Sequence, residues 1–269
     1  MNRIRLFPTE RAPVLTRTGV ALLALIVPLA ILWAVDPRTV DGIGVWRKPL
    51  KFALSLGVFA ATLAWFTQWA PDRLDAHRAW RAFAAAVCLA IFIEMTWLCT
   101  ASAMGTRSHF QGQHPFLTAV YPLMGLLATF LASAALVLGI AIARNRNAGL
   151  SVALRHGIAL GLILTFVLTC AAAWPLASTG GQFGGTPHGP GSTPFGWRTD
   201  GSDLRAAHFF ATHALHVIPL VAWPVARWLN PSSAVSAVWI AAAGYAGFVV
   251  LLIIEALRGL PFLAGVLPG

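Results

Sequence analysis

Acidic residues are scarce in this chain, 9 against 19 Lys and Arg, and charged residues of both signs make up only 10% of it. An ordinary soluble domain is about 25% charged, so the solvated polar surface of a globular protein is missing. Hydrophobic residues reach 58% and the mean hydropathy is +0.73. That apolar content cannot be hidden inside one soluble globule of this size, and it fits a chain whose solvent is lipid. Cysteine is nearly absent: Cys88, Cys99 and Cys170 all lie inside apolar runs, and no two are spaced as CxxC. This excludes a disulfide scaffold, a cysteine zinc site and, with no CxxCH, covalently attached haem. There is no Walker-type glycine loop and no GxSxG, since Ser192 sits in GPGSTPFG. No internal repeat is visible, so a repeat-built transporter has no support.

The net charge of +10 does not indicate nucleic acid, because the basic residues are scattered between apolar runs and form no stripe. It is read instead as topological: Lys and Arg hold cytoplasmic ends in place and meet anionic membrane lipid.

What is present is a succession of long apolar runs. A spanning helix needs roughly 20 mostly apolar residues, and seven segments meet this, near 17–35, 50–70, 80–104, 116–143, 150–177, 204–229 and 233–257. The expected fold is an all-α, polytopic transmembrane bundle of seven helices, read as one integral membrane domain over 1–269. The first run is too long for a signal-peptide core and is expected to be a retained helix. With the N-terminus cytoplasmic, the inner segments hold more Lys and Arg than the outer ones, which favours that orientation. Arg47, Lys48 and Lys51 depart from it, as a basic cluster in the first outer loop. The longest extramembrane segment, Ser178 to Asp203, is too short for a domain. Any chemistry must sit between helices or at their mouths.

Polar residues gather toward the outer side. The odd-numbered loops carry Trp46 to Phe52, then Arg107, His109 and His114, then His188 leading into Asp203, Arg205 and His208. Among the histidines only His77 and His156 belong to the inner side. At 100° per residue, Arg205, His208, Thr212 and His216 share one face of helix six, with His213 about 60° further round. Ser202 or Asp203 is expected to cap this helix. Counted at 1.5 Å per residue, Glu94 lies about 15 Å from the outer end of helix three, near the depth of His213 and His216. A carboxylate there costs at least a few kcal/mol unless paired or protonated, so Glu94 is expected to face helix six. Trp46, Trp97 and Trp197 are candidates to line the outer mouth.

Three stretches, WRKPLKF at 46–52, Glu94 with GTRSHFQ at 105–111, and GSDLRAAHFFATHALHVIP at 201–219, together resemble an uncharacterised family of bacterial multi-pass membrane proteins. His208 and His213 match the pattern of that family, whereas His216 stands where the family tends to have Gln. The resemblance implies a bacterial inner-membrane location and carries no activity.

Three functions remain open. The first is a metal-dependent membrane enzyme. Zinc or another divalent metal would be held by His109, His208 and His213, with His216 as a further candidate ligand and Glu94 as ligand or general base. Arg47, Lys48, Lys51, Arg107 and Arg205 would then hold an anionic, lipid-like substrate. The second is a b-type haem between two axial histidines. The third is a proton-coupled transporter or pH sensor that uses Glu94 and the histidines without a cofactor.

Overall fold

The computed structural model describes residues 11–72, 74, 76–108, 115–179, 182–183, 197 and 201–262. Among the described residues seven helices follow one another: α1 (Pro13–Val35), α2 (Arg47–Phe66), α3 (Arg78–Ala103), α4 (Pro115–Arg144), α5 (Val152–Thr179), α6 (Leu204–Trp228) and α7 (Pro231–Leu257). A 3-10 turn, Thr67–Trp69, prolongs α2. All seven are long and apolar enough to cross a membrane, with mean hydropathies from 1.5 to 2.5 in their most apolar stretches. The protein is therefore a multi-pass helical membrane protein, with spans close to those expected from hydropathy. The largest difference in the polar regions concerns Arg47, Lys48 and Lys51. They occupy the first turns of α2, not a loop. Pro49 is the third residue of α2, where the backbone N–H it lacks would have no intrahelical acceptor, so the helix can begin ahead of it.

The chain forms two compact units, Met1–Ala134 and Ala135–Gly269, with the division inside α4. In the first unit α1 packs against α2 and α3. The α1–α2 seam is close because Gly19 carries no side chain: a Cβ there would meet Ala61 N at 3.1 Å and Gly57 O at 3.2 Å.

The α1–α2 connection is built as a cap on the end of α3. Strands β1 (Thr39–Val40) and β2 (Ile43–Gly44) pair antiparallel, Val40 opposite Ile43. Asp41 and Gly42 join them with φ of 54° and 73°, the left-handed pair that a tight Asp-Gly hairpin turn needs. Arg38 Nη1 donates to Ala103 O at 2.9 Å, Ser102 Oγ donates to Val45 O at 2.8 Å, and Arg107 Nε donates to Asp41 Oδ2 at 2.8 Å. The Ala103 carbonyl, left open at the end of α3, thus finds a side-chain donor. Asp36 organises the other edge, accepting from Arg38 Nη2 at 2.7 Å and from Trp46 Nε1 at 2.8 Å. The Arg38 guanidinium, and after it the Trp46 indole, hold the Asp36 carboxyl well below the usual carboxylate range. A lowered carboxyl stabilises the cap above the ordinary Asp pKa of about 3.9, and that contribution falls as pH drops through and below it. The protection factors of the hairpin amides, taken against the intrinsic exchange rate at each pH, should therefore fall on acidification below about pH 4 in the wild type. In Asp36→Asn they should already be low at neutral pH and lack this pH dependence.

In the second unit α5, α6 and α7 pack on one another. The α5–α6 seam is a row of small residues four apart. A Cβ on Gly157 would lie 2.2 Å from the Ala222 Cβ, and one on Gly161 would lie 2.8 Å from Pro219 Cδ and 2.9 Å from Ala214 O. One step further, buried Thr165 accepts a hydrogen bond from Leu215 N at 2.7 Å and donates to Gly161 O at 2.8 Å. This is the small-residue approach that membrane helices use where lipid removes the hydrophobic driving force. Ala153, Ala222, Ala234 and Val238 close the unit at one end, and Leu168, Ala172, Ala211 and Val249 pack nearer the other. A two-residue strand pair, β3 (Gln182–Phe183) with β4 (Ser202–Asp203), leads into α6.

Candidate functional site: the histidine face of α6 and the buried Glu94

Asp203 starts α6 as expected from its position. Its Oδ1 accepts from Arg205 N at 3.0 Å, and the same carboxylate takes Arg205 Nε at 2.8 Å. The Asp203 side chain is fully buried, so an acid at the positive end of the helix dipole is also shielded from water. Arg205 is thereby tied to its own cap. Arg107 is likewise tied to Asp41.

The buried face of α6 is set by Ala206, Ala207, Ala211, Ala214, Leu215 and Ile218. His208, Thr212, His213 and His216 lie beside that face and are half-buried. His213 is held most firmly. Its Nδ1 lies 2.7 Å from Phe209 O, and its ring stacks on the Phe209 ring with centroids 4.0 Å apart. A carbonyl only accepts, so Nδ1 carries the proton in that bond, and the lone pair of the neutral imidazole is on Nε2. Thr212 Oγ1 also donates to Phe209 O, at 2.8 Å. The His213 and His216 rings are 5.5 Å apart, which confirms their adjacency on the helix. His208 Nδ1 is buried without a hydrogen-bond partner among the described residues.

Glu94 belongs to the first unit. It is 4% exposed, and its Oε1 has no hydrogen-bond partner among the described residues. Its charge partner in that unit is Lys48 of α2, whose ammonium interacts electrostatically with the carboxylate. By sequence alone the two residues have separate roles and nothing pairs them. Arg47 is half-buried and Lys51 exposed, both in the first turns of α2, which contain no acid. Cations at the positive end of a helix dipole are unfavourable, and the Lys48–Glu94 interaction offsets this for Lys48.

His109, His114 and His188 lie outside the described residues. Among the described residues no group of three or more His, Cys, Asp and Glu is placed to hold a metal. Of the tryptophans expected at the outer mouth, Trp46 and Trp197 are buried, and Trp97 Nε1 donates to Ser108 O at 2.9 Å. Trp197 packs among Phe209, Phe210 and Phe262 at 5.3–6.0 Å.

A second membrane carboxylate, absent from the expected site, is Glu255. Glu255 lies near the end of α7 and lines a small cleft with Asp203, Ala206 and Leu252. Its Oε2 is buried without a hydrogen-bond partner among the described residues. The rule that singled out Glu94, a lone acid within an apolar run, applies to it equally. The GxxxG spacing of Gly157 and Gly161 was also readable.

No family model, curated protein or solved structure matches the chain.

Proposed function

We propose that the protein is a multi-pass protein of the bacterial inner membrane, with its N-terminus cytoplasmic, that works through a His/Glu site toward the outer face. In this reading it is a metal-dependent membrane enzyme acting on an anionic, lipid-like substrate. The histidines of α6 supply imidazole ligands, and Glu94 supplies the acid–base group. Arg47 and Lys51 bind the substrate's negative charge. The observation that carries the reading is the setting of His213. A ligand imidazole needs one nitrogen free and the other held by a carbonyl that fixes ring and tautomer, and His213 has this arrangement with Phe209 O at 2.7 Å. His216 is its neighbour at a ring distance of 5.5 Å. A third protein ligand must then come from elsewhere in the chain, and His109 is the residue assigned to it.

Elemental analysis with an optical spectrum of the purified protein tests this. The expected result is about one zinc or other divalent ion per chain in wild type, most of it lost in His213→Ala and in His109→Ala. A Soret band would replace the metal reading with haem b. Equal metal content in wild type and both variants would remove it.

The Lys48–Glu94 pair supports a second reading, a proton-coupled function without cofactor. An ionisable residue buried inside a membrane span, such as Glu94, marks an ion or proton pathway by default. Proton uptake into proteoliposomes that is abolished in Glu94→Gln and retained in His213→Ala would favour it over the first.

A further inference from the structure

The second unit is electrically lopsided. No acidic residue stands between Glu94 and Asp200, and none between Asp203 and Glu255. Asp203 opens α6 and Glu255 closes α7. These two acids therefore lie at one end of the antiparallel helices, in the same cleft. The opposite end is formed by the α4–α5 turn, the start of α5, the end of α6 and the start of α7. It carries Arg144, Arg146, Arg155 and Arg227, with no carboxylate to balance them among the described residues. Contacts tie these segments together. Ala153, Ala222 and Ala234 share one cluster, and Arg155 Nη1 donates to Asn145 O at 3.2 Å.

Two details make this end more than a diffuse positive field. Arg155 Nε is buried and has no hydrogen-bond partner among the described residues. One arm of its guanidinium is fixed on the Asn145 carbonyl while donor capacity remains in the rest of the fork, the part that suits a phosphate. Beside it, His156 Nδ1 accepts from Trp239 Nε1 at 3.2 Å. An indole N–H only donates, so the neutral imidazole must carry its proton on Nε2, as a further donor. Trp239 is 51% exposed, as befits a ring at the boundary of headgroups and acyl chains. His156 lies only four residues into α5, about 6 Å along the helix, which is headgroup depth.

We propose that this end of the second unit is a binding site for an anionic phospholipid. Arg155 and His156 Nε2–H would take the phosphate, exposed Arg144 and Arg146 would add charge, and Trp239 would lie against the upper acyl chain. A zwitterionic lipid presents the same phosphate beside its own ammonium and should be repelled by the surrounding arginines. The site is separate from the histidine face of α6 and does not depend on any activity there.

The test is retention of phosphatidylglycerol against phosphatidylcholine by the full-length protein in detergent micelles, measured by native mass spectrometry. Inorganic phosphate is added in a parallel arm. Phosphatidylglycerol should be retained at least tenfold more, and Arg155→Gln should reduce its affinity about fivefold, the effect of one arginine at an anionic lipid surface. His156→Leu should also weaken it. Because Arg155 also holds the α4–α5 turn, Arg146→Gln, at an exposed residue, serves as the variant that leaves the fold intact, with a similar loss expected. Equal retention of the two lipids, or unchanged retention in Arg146→Gln and His156→Leu, would overturn the proposal. So would complete displacement of the lipid by millimolar inorganic phosphate, which would assign the site to a free anion.

Discussion

Replacing Lys48 by Met should destabilise the protein by about 1–3 kcal/mol, the cost of leaving a buried polar group without the charge that offsets its burial. Glu94 is 4% exposed, and Lys48 is the cation that interacts with it in its unit. Methionine keeps much of the length of the lysine stem, so packing changes little and the effect isolates the charge. Left alone, Glu94 must either remain ionised in an apolar setting or take up a proton, and both cost free energy. The double variant Lys48→Met/Glu94→Gln should recover most of the loss, since a neutral amide requires no counter-charge. Thermal unfolding of the three proteins in detergent reads the series. If the single variant melted with the wild type, the pair would have no structural consequence, and the proton-coupled reading would lose its main support.

Gly157→Ala should be as damaging, at about 1–3 kcal/mol, although it adds one methyl group. That methyl would sit 2.2 Å from the Ala222 Cβ. Alanine has no rotamer by which to move aside, so the helices themselves must separate. The separation would propagate to Gly161 against Pro219 and to the Thr165–Leu215 hydrogen bond of 2.7 Å, because all three contacts belong to one seam. The compensating change Ala222→Gly, made together with Gly157→Ala, restores room at the same point and should return most of the stability. Failure of the double variant to recover would mean that Gly157 acts through backbone freedom and not through helix contact.

Much of the fold was legible because the membrane imposes a one-dimensional rule. Each span must be apolar over a length set by the bilayer, and all seven helices fall where the hydropathy places them. The Asp203 cap was readable for a similar local reason, since a cap acts on the amide two residues on. α2 starts ahead of the expected span because charged residues argue for a loop in lipid, whereas here the helix extends through Arg47, Lys48 and Lys51. The histidine face of α6 was visible as an angular pattern, but the donor role of His213 Nδ1 was not. Of the candidate set, Glu94, Lys48, His208, His213 and His216 are described, each within its own unit, while His109 lies outside the described residues.

By itself the sequence determined the number of spans, their approximate positions, the acid cap of α6 and the alignment of three imidazoles along one side of that helix. These depend on residues near one another in the chain, through hydropathy, helical period and capping. Only the tertiary structure decided that Lys48 is the cation that interacts with Glu94, that Gly157 and Gly161 form the α5–α6 seam, and that His213 is locked onto Phe209. Those outcomes depend on which helix faces approach, how closely, and in which rotamer, and none of these quantities is set by local sequence.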